Sequence, residues 1–126
     1  MKLRIKGNSI RFRLLQSEVT RLAASGVISE EVRFGTATDQ VLRYSIAASD
    51  GVEETTVEFG DNQILVLLPE TVALNWTSTQ TVSIHAVIDI DEDDKLVVLI
   101  EKDFVCLDRP DDPDKADAFP NPGANC

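Results

Sequence analysis

One histidine, two cysteines and many aspartates define the chemistry open to this chain. Zinc takes four ligands from thiolate, imidazole and carboxylate groups. The candidate metal set is therefore Cys106, Asp108, Cys126 and His85. Such a site would pin the end of the chain to the domain, and zinc is the one cofactor it implies. The spacing argues against it, because there is no C-x-x-C pair and only one histidine. Matching Ile84, Ala86 and Ile88 with Ile100, Val98 and Leu96 across the last hairpin turns His85 to the opposite face. Cys106 shares the parity of Ile100 and Phe104, and a bulge after Lys102 would be needed to bring it to His85. The competing readings are a buried Cys106 with a free Cys126, or a disulfide between them in an oxidising setting. The run Asp89–Asp94 begins like a calcium loop. That loop needs Gly at its sixth position and Glu at its twelfth, where this chain has Asp94 and Ile100. A solvated turn fits better. His85 has no nucleophile or carboxylate at a spacing that suggests a catalytic pair. No nucleophile elbow, zinc-protease helix, phosphate loop or dinucleotide fingerprint is present. Acids are plentiful, but nothing singles out the two that glycoside chemistry would need.

The sharper signal is basic. Lys2, Arg4 and Lys6 alternate with Leu3 and Ile5, and Arg11 and Arg13 alternate with Ile10, Phe12 and Leu14. Period two is that of a half-buried strand. Gly7-Asn8 between the runs makes a tight turn. Antiparallel pairing then collects Lys2, Arg4, Lys6, Arg11 and Arg13 into one anion-binding patch. The patch has no interleaved aromatics, so nucleic acid is not the expected ligand. The bland alternative is a solvated face.

These residues must be held by a small α+β domain. A short helix is expected from Gln16 or Ser17 to Gly26, with Val19, Leu22 and Ala23 on one face. Two strand-like runs follow, through Ile28, Val32 and Phe34 and then through Val41, Leu42, Tyr44 and Ile46. A shift of 54 positions superposes Asn8 on Asn62, Ile10 on Ile64, Leu14 on Leu68, Ser29 on Ser83, Leu42 on Leu96 and Ile46 on Ile100. The element order repeats as well: a turn at Gly60-Asp61-Asn62, a strand at Ile64–Leu68, and a helix opened by Pro69 with Trp76 in the place of Leu22. The last two strands are Val82–Asp89 and Lys95–Asp103. The expectation is an internally duplicated ββαββ unit, with repeats at about residues 1–50 and 55–104 of a domain covering 1–106. Eight mostly antiparallel strands and two short helices then form a barrel or two packed sheets.

Residues 107–126 differ in character. They hold four of the five prolines and five aspartates, with little that is apolar beyond Leu107 and Phe119. Such a segment cannot form its own core. It reads as an acidic, proline-rich tail with Phe119 as an anchor. The chain has net charge −10, yet residues 1–34 carry +4 and the remainder −14. That split suggests the acidic tail, Asp108 through Asp117, lies over the basic hairpin. With no apolar run of about 20 residues and no secretory leader pattern, no membrane association is expected and the setting is read as cytoplasmic.

Three stretches together are similar to an uncharacterised bacterial protein family, a domain of unknown function. They are Met1–Leu14 with Gln16-Ser17-Glu18-Val19, then Glu101-Lys102-Asp103-Phe104-Val105-Cys106-Leu107, then Phe119-Pro120-Asn121-Pro122. The resemblance implies a bacterial protein with no assigned activity and supplies no site residues. The expectation from the residues is a non-enzymatic binding or accessory module with an unidentified protein partner. Its alternative is a metal-binding protein or small metal-dependent enzyme using the C-terminal cysteine region. A structural subunit of a larger complex is the third class.

Overall fold

The computed structural model describes residues 1–104 together with 117 and 119. The alternating hairpin forms as β1 (Lys2–Lys6) and β2 (Ser9–Leu14), followed by α1 (Gln16–Ser25). Then come β3 (Val27–Arg33), β4 (Val41–Ser49), β5 (Thr56–Gly60), β6 (Gln63–Pro69), α2 (Glu70–Ser78), β7 (Ser83–Asp89) and β8 (Lys95–Lys102). Gly26 ends α1 in the left-handed region, at φ 78°, a conformation glycine adopts without steric cost. Pro69 ends β6 and caps α2 from outside, one residue before the position expected for it.

The strands form two four-stranded sheets, ordered β1-β2-β8-β7 and β3-β4-β6-β5. A closed barrel does not form. Each sheet ends on both sides in a hairpin strand, which leaves β1, β7, β3 and β5 as edges. The hairpins are antiparallel as expected, but each sheet is joined at its centre by a parallel pair, β2 with β8 and β4 with β6. Hairpin spacing cannot reveal such pairs, because their partners lie far apart in sequence.

Exchanging the two halves of the chain maps one strand order onto the other. The registers follow. Ser9 faces Val97 in the first sheet, and Gln63 faces Arg43 in the second, as the 54-residue offset requires. Lys2 faces Arg13, and Thr56 faces Leu67. Asn8 and Asn62 accept, through their carbonyls, the backbone N–H groups of Val97 and Arg43. The third pairing departs. Val27 faces Ala47, while Glu101 faces Ser83, two residues from the position the offset would give.

The inner faces of both sheets and both helices share one core. It includes Ile10, Phe12 and Leu14 of β2, Val98 and Ile100 of β8, Ile46 of β4, and Val66 and Leu68 of β6. Phe12 and Tyr44 meet across the sheets with ring centroids 6.5 Å apart. Leu22, Ala73 and Trp76 complete the core from the helices, which contact each other. No helix among the described residues is long and apolar enough to cross a membrane.

The two hairpin turns differ in chemistry. Gly7 has φ 54°, whereas Asp61 and Asn62 are both left-handed at φ 50° and 61°. These are the signs of II′ and I′ turns, whose twist matches paired strands. A Cβ at Gly7 would meet nothing within 4 Å. Gly7→Ala should therefore cost only the backbone penalty, about 1–2 kcal/mol, read from the urea midpoint at unchanged slope.

Candidate anion-binding face

Pairing sets which side chains share a face. Ile10, Phe12 and Leu14 point into the core, so Arg11 and Arg13 point outward. The register places Lys2 opposite Arg13 and Arg4 opposite Arg11. Lys2, Arg4, Lys6, Arg11 and Arg13 therefore all lie on the outer face of the first sheet. Neighbouring strands are about 5 Å apart and alternate residues about 7 Å apart, so the five cations form a compact grid. The neighbouring strands extend its rows. Arg11 faces Leu99, which faces His85; Arg13 faces Glu101, which faces Ser83. His85 thus joins the basic face, on the side away from Ile84, Ala86 and Ile88, as its parity requires.

Two carboxylates temper the charge. Glu101 accepts from Arg13 Nε at 2.8 Å and lies 3.6 Å from Arg11 Nε. Asp103 pairs with Lys2 at 3.0 Å. Arg4, Lys6 and Glu101 each have a further interaction partner, so none of them is free. Like charges directly across a sheet are destabilising, and this face has two such pairs, Lys2 with Arg13 and Arg4 with Arg11.

Cys106, Asp108 and Cys126 lie outside the described residues, so of the metal set only His85 can be placed. Among the described residues no group of three or more His, Cys, Asp or Glu side chains is arranged to hold a metal ion. The acidic run closes a turn: Asp91 Oδ1 accepts the backbone N–H groups of Asp93 and Asp94 at 2.9 and 2.7 Å. Phe119 is 96% exposed, so it is not buried in the core; the residues on either side of it lie outside the described ones.

A second polar cluster was not foreseen. The α-ammonium of Met1 is buried and ion-paired with both Glu18 and Glu30. Glu18 also accepts the N–H of Leu15 at 2.8 Å, the return half of a capping box. The Tyr44 hydroxyl lies 3.2 Å from the Met1 carbonyl and 3.4 Å from Glu30 Oε2. Burial alone would lower the pKa of the Met1 ammonium, but hydrogen bonds and charge from Glu18 and Glu30 outweigh it and raise the value above 8.0. Burial would raise that of Glu18, but the ammonium and the Leu15 N–H prevail and lower it below 4.5. Burial, together with the charge of Glu30, raises that of Tyr44. Parity was the available signal: Glu30 and Tyr44 occupy inward positions, between Ile28 and Val32 and between Leu42 and Ile46.

The helix pair is flanked by two grooves of about 590 and 300 Å³ that correspond under the same 54-residue offset. Gln16, Val19 and Thr20 line the larger, and Glu70, Ala73 and Leu74 the smaller. Lys102 on the larger donates to the Thr79 carbonyl at 2.8 Å and stands 5.5 Å from the Trp76 ring, so its charge is already engaged.

Fold and face together define a two-sheet α+β protein with one basic outer sheet face. The chain belongs to DUF7009, a family of unknown function whose model matches residues 1–123. No curated protein and no solved structure matches it.

Proposed function

We propose that the protein is a non-enzymatic binding module that holds an anionic partner on the outer face of the β1-β2-β8-β7 sheet. The observation that carries this reading is the gathering of five cations onto one face of a chain with net charge −10. Solubility does not call for such a cluster, and it costs two like-charge pairs.

The second sheet supplies a control. Its residues at the equivalent positions are Thr56, Glu58, Gly60, Leu65 and Leu67. The same fold position is thus filled without a single cation, so the scaffold does not require them. We infer that the two halves descend from one duplicated ββαββ unit; the shared registers of the hairpins and of the parallel pairs support this. The basic face is then a specialisation of the first half.

A short poly-aspartate peptide and inorganic tripolyphosphate are the probes. Binding should weaken as salt rises. Arg4→Gln with Lys6→Gln should weaken it by about tenfold or more, since charge-assisted hydrogen bonds contribute about 1.5–3 kcal/mol each. Calorimetric titration reads both effects. Affinity for either anion that is unaffected by the two substitutions would sink the proposal.

A further inference from the structure

The face differs from a generic anion site in ways that select its partner, and the inference rests on the anion-binding reading above. The cations lie along two adjacent strands in steps of about 7 Å, matching alternate side chains of an extended peptide. Val97 and Leu99 follow on β8, and Val87 on β7, half exposed at 49%. The row thus passes from charge to apolar surface, which suits a polypeptide rather than a uniform polyanion. Glu101 in the grid repels closely spaced phosphates, and none of these strands' outward positions holds a Phe, Tyr or Trp to offer a base a broad stacking platform.

We propose that this face takes an extended acidic polypeptide, and that the chain's own segment Asp108–Asp117 is its resident occupant, which an external acidic partner must displace. Three observations support this occupant. The first is charge: the segment carries Asp108, Asp111, Asp112, Asp114 and Asp117 against Arg109 and Lys115. The second is its point of departure. The Asp103 backbone N–H is bonded to the Leu14 carbonyl at 2.8 Å, and its carboxylate to Lys2 at 3.0 Å. The chain therefore leaves β8 already tied to the corner of the basic grid. The third is reach. Residues 105–117 span up to about 45 Å extended, against a four-stranded face only about 15 Å wide. Pro110 and Pro113 resist helix and favour the extended form.

The test uses the full chain. Fluorescence anisotropy follows a labelled poly-aspartate peptide, with a duplex DNA as second probe. The proteins are the wild type, a variant with all five of those aspartates changed to asparagine, and that variant with Arg4→Gln and Lys6→Gln added. The neutralised tail should bind the peptide about tenfold or more tightly than wild type, and the face substitutions should abolish that gain. Its melting temperature should also lie below that of the wild type at low salt, and the difference should shrink as salt screens the wild-type contacts. Equal affinity in wild type and neutralised tail, with face dependence retained, overturns the resident occupant but leaves the anion-binding face standing. Loss of face dependence, or no binding by any variant, overturns the face itself. Tighter binding of DNA than of peptide overturns the partner class.

Discussion

Glu18→Ala is expected to destabilise the fold by about 3–5 kcal/mol, the range for breaking a buried ion pair by removing one partner. The side chain of Glu18 is only 5% exposed, and it answers both the Met1 ammonium and the Leu15 N–H. Without it the ammonium stays buried against Glu30, and a helix-initiating donor loses its acceptor. Glu18→Gln should cost less, because an amide oxygen still accepts from Leu15 while the charge is lost. Under the 54-residue offset, Glu18 and Tyr44 correspond to Val72 and Val98, and where Glu30 faces Tyr44, Ala86 faces Val98. An apolar solution therefore exists in the same fold, and replacing a buried ion pair by apolar groups is often neutral or stabilising. The cluster thus serves to anchor the first strand at its start, beside Lys2, rather than to stabilise a core that could close without it.

The same cluster sets a pH window. The ammonium pKa is raised in the folded state, so its contribution is complete below 8.0 and is lost as pH rises through the folded value. The Glu18 pKa is lowered, so its contribution is complete above 4.5 and is lost as pH falls through the folded value. The cluster should therefore stabilise most between those limits. Urea midpoints across pH for wild type and Glu18→Gln should converge at both extremes and differ most in between. A constant difference across the range would mean that Glu18 acts through packing and capping alone.

The legible part of this molecule was whatever depends on local pattern. Alternation at Leu3–Leu14 gave the first hairpin and its basic face, and the parity of Ile84, Ala86 and Ile88 put His85 on the outer side. Element order and the 54-residue offset anticipated eight strands and two helices. Pairing between distant strands was not legible. The contacts of Ile10 with Val98 and of Tyr44 with Ile64 join opposite halves of the chain, and no turn residue marks them. The choice between barrel and paired sheets rested on those contacts. The ammonium cluster was missed for a related reason. An acid at an inward strand position signals a buried partner, but the partner was a terminal amine brought in by the same long-range packing.

Trp76→Ala is the second large effect, at about 3–5 kcal/mol for a fully buried aromatic. Trp76 is 0% exposed in the shared core, and its indole N–H donates to the Val82 carbonyl at 3.0 Å. Lys102 stands 5.5 Å from its ring and ties the end of β8 to the segment after α2. The offset pairs Trp76 with Leu22 of α1, also buried at 2%, so a leucine fills the corresponding place on the other helix. Trp76→Leu should therefore cost less than Trp76→Ala, yet still leave the Val82 carbonyl without its indole donor. Trp76→Phe isolates that donor: it keeps most of the ring volume, and the Val82 carbonyl keeps the Lys102 backbone N–H at 3.0 Å, so the lost indole hydrogen bond should cost about 0.5–1.5 kcal/mol beyond the altered packing. Equilibrium unfolding of the three variants should rank Ala as most damaging and Phe as least. If Leu proved as damaging as Ala, the site would demand a ring rather than bulk, and α2 would hold β8 through the indole and Lys102 instead of through volume alone.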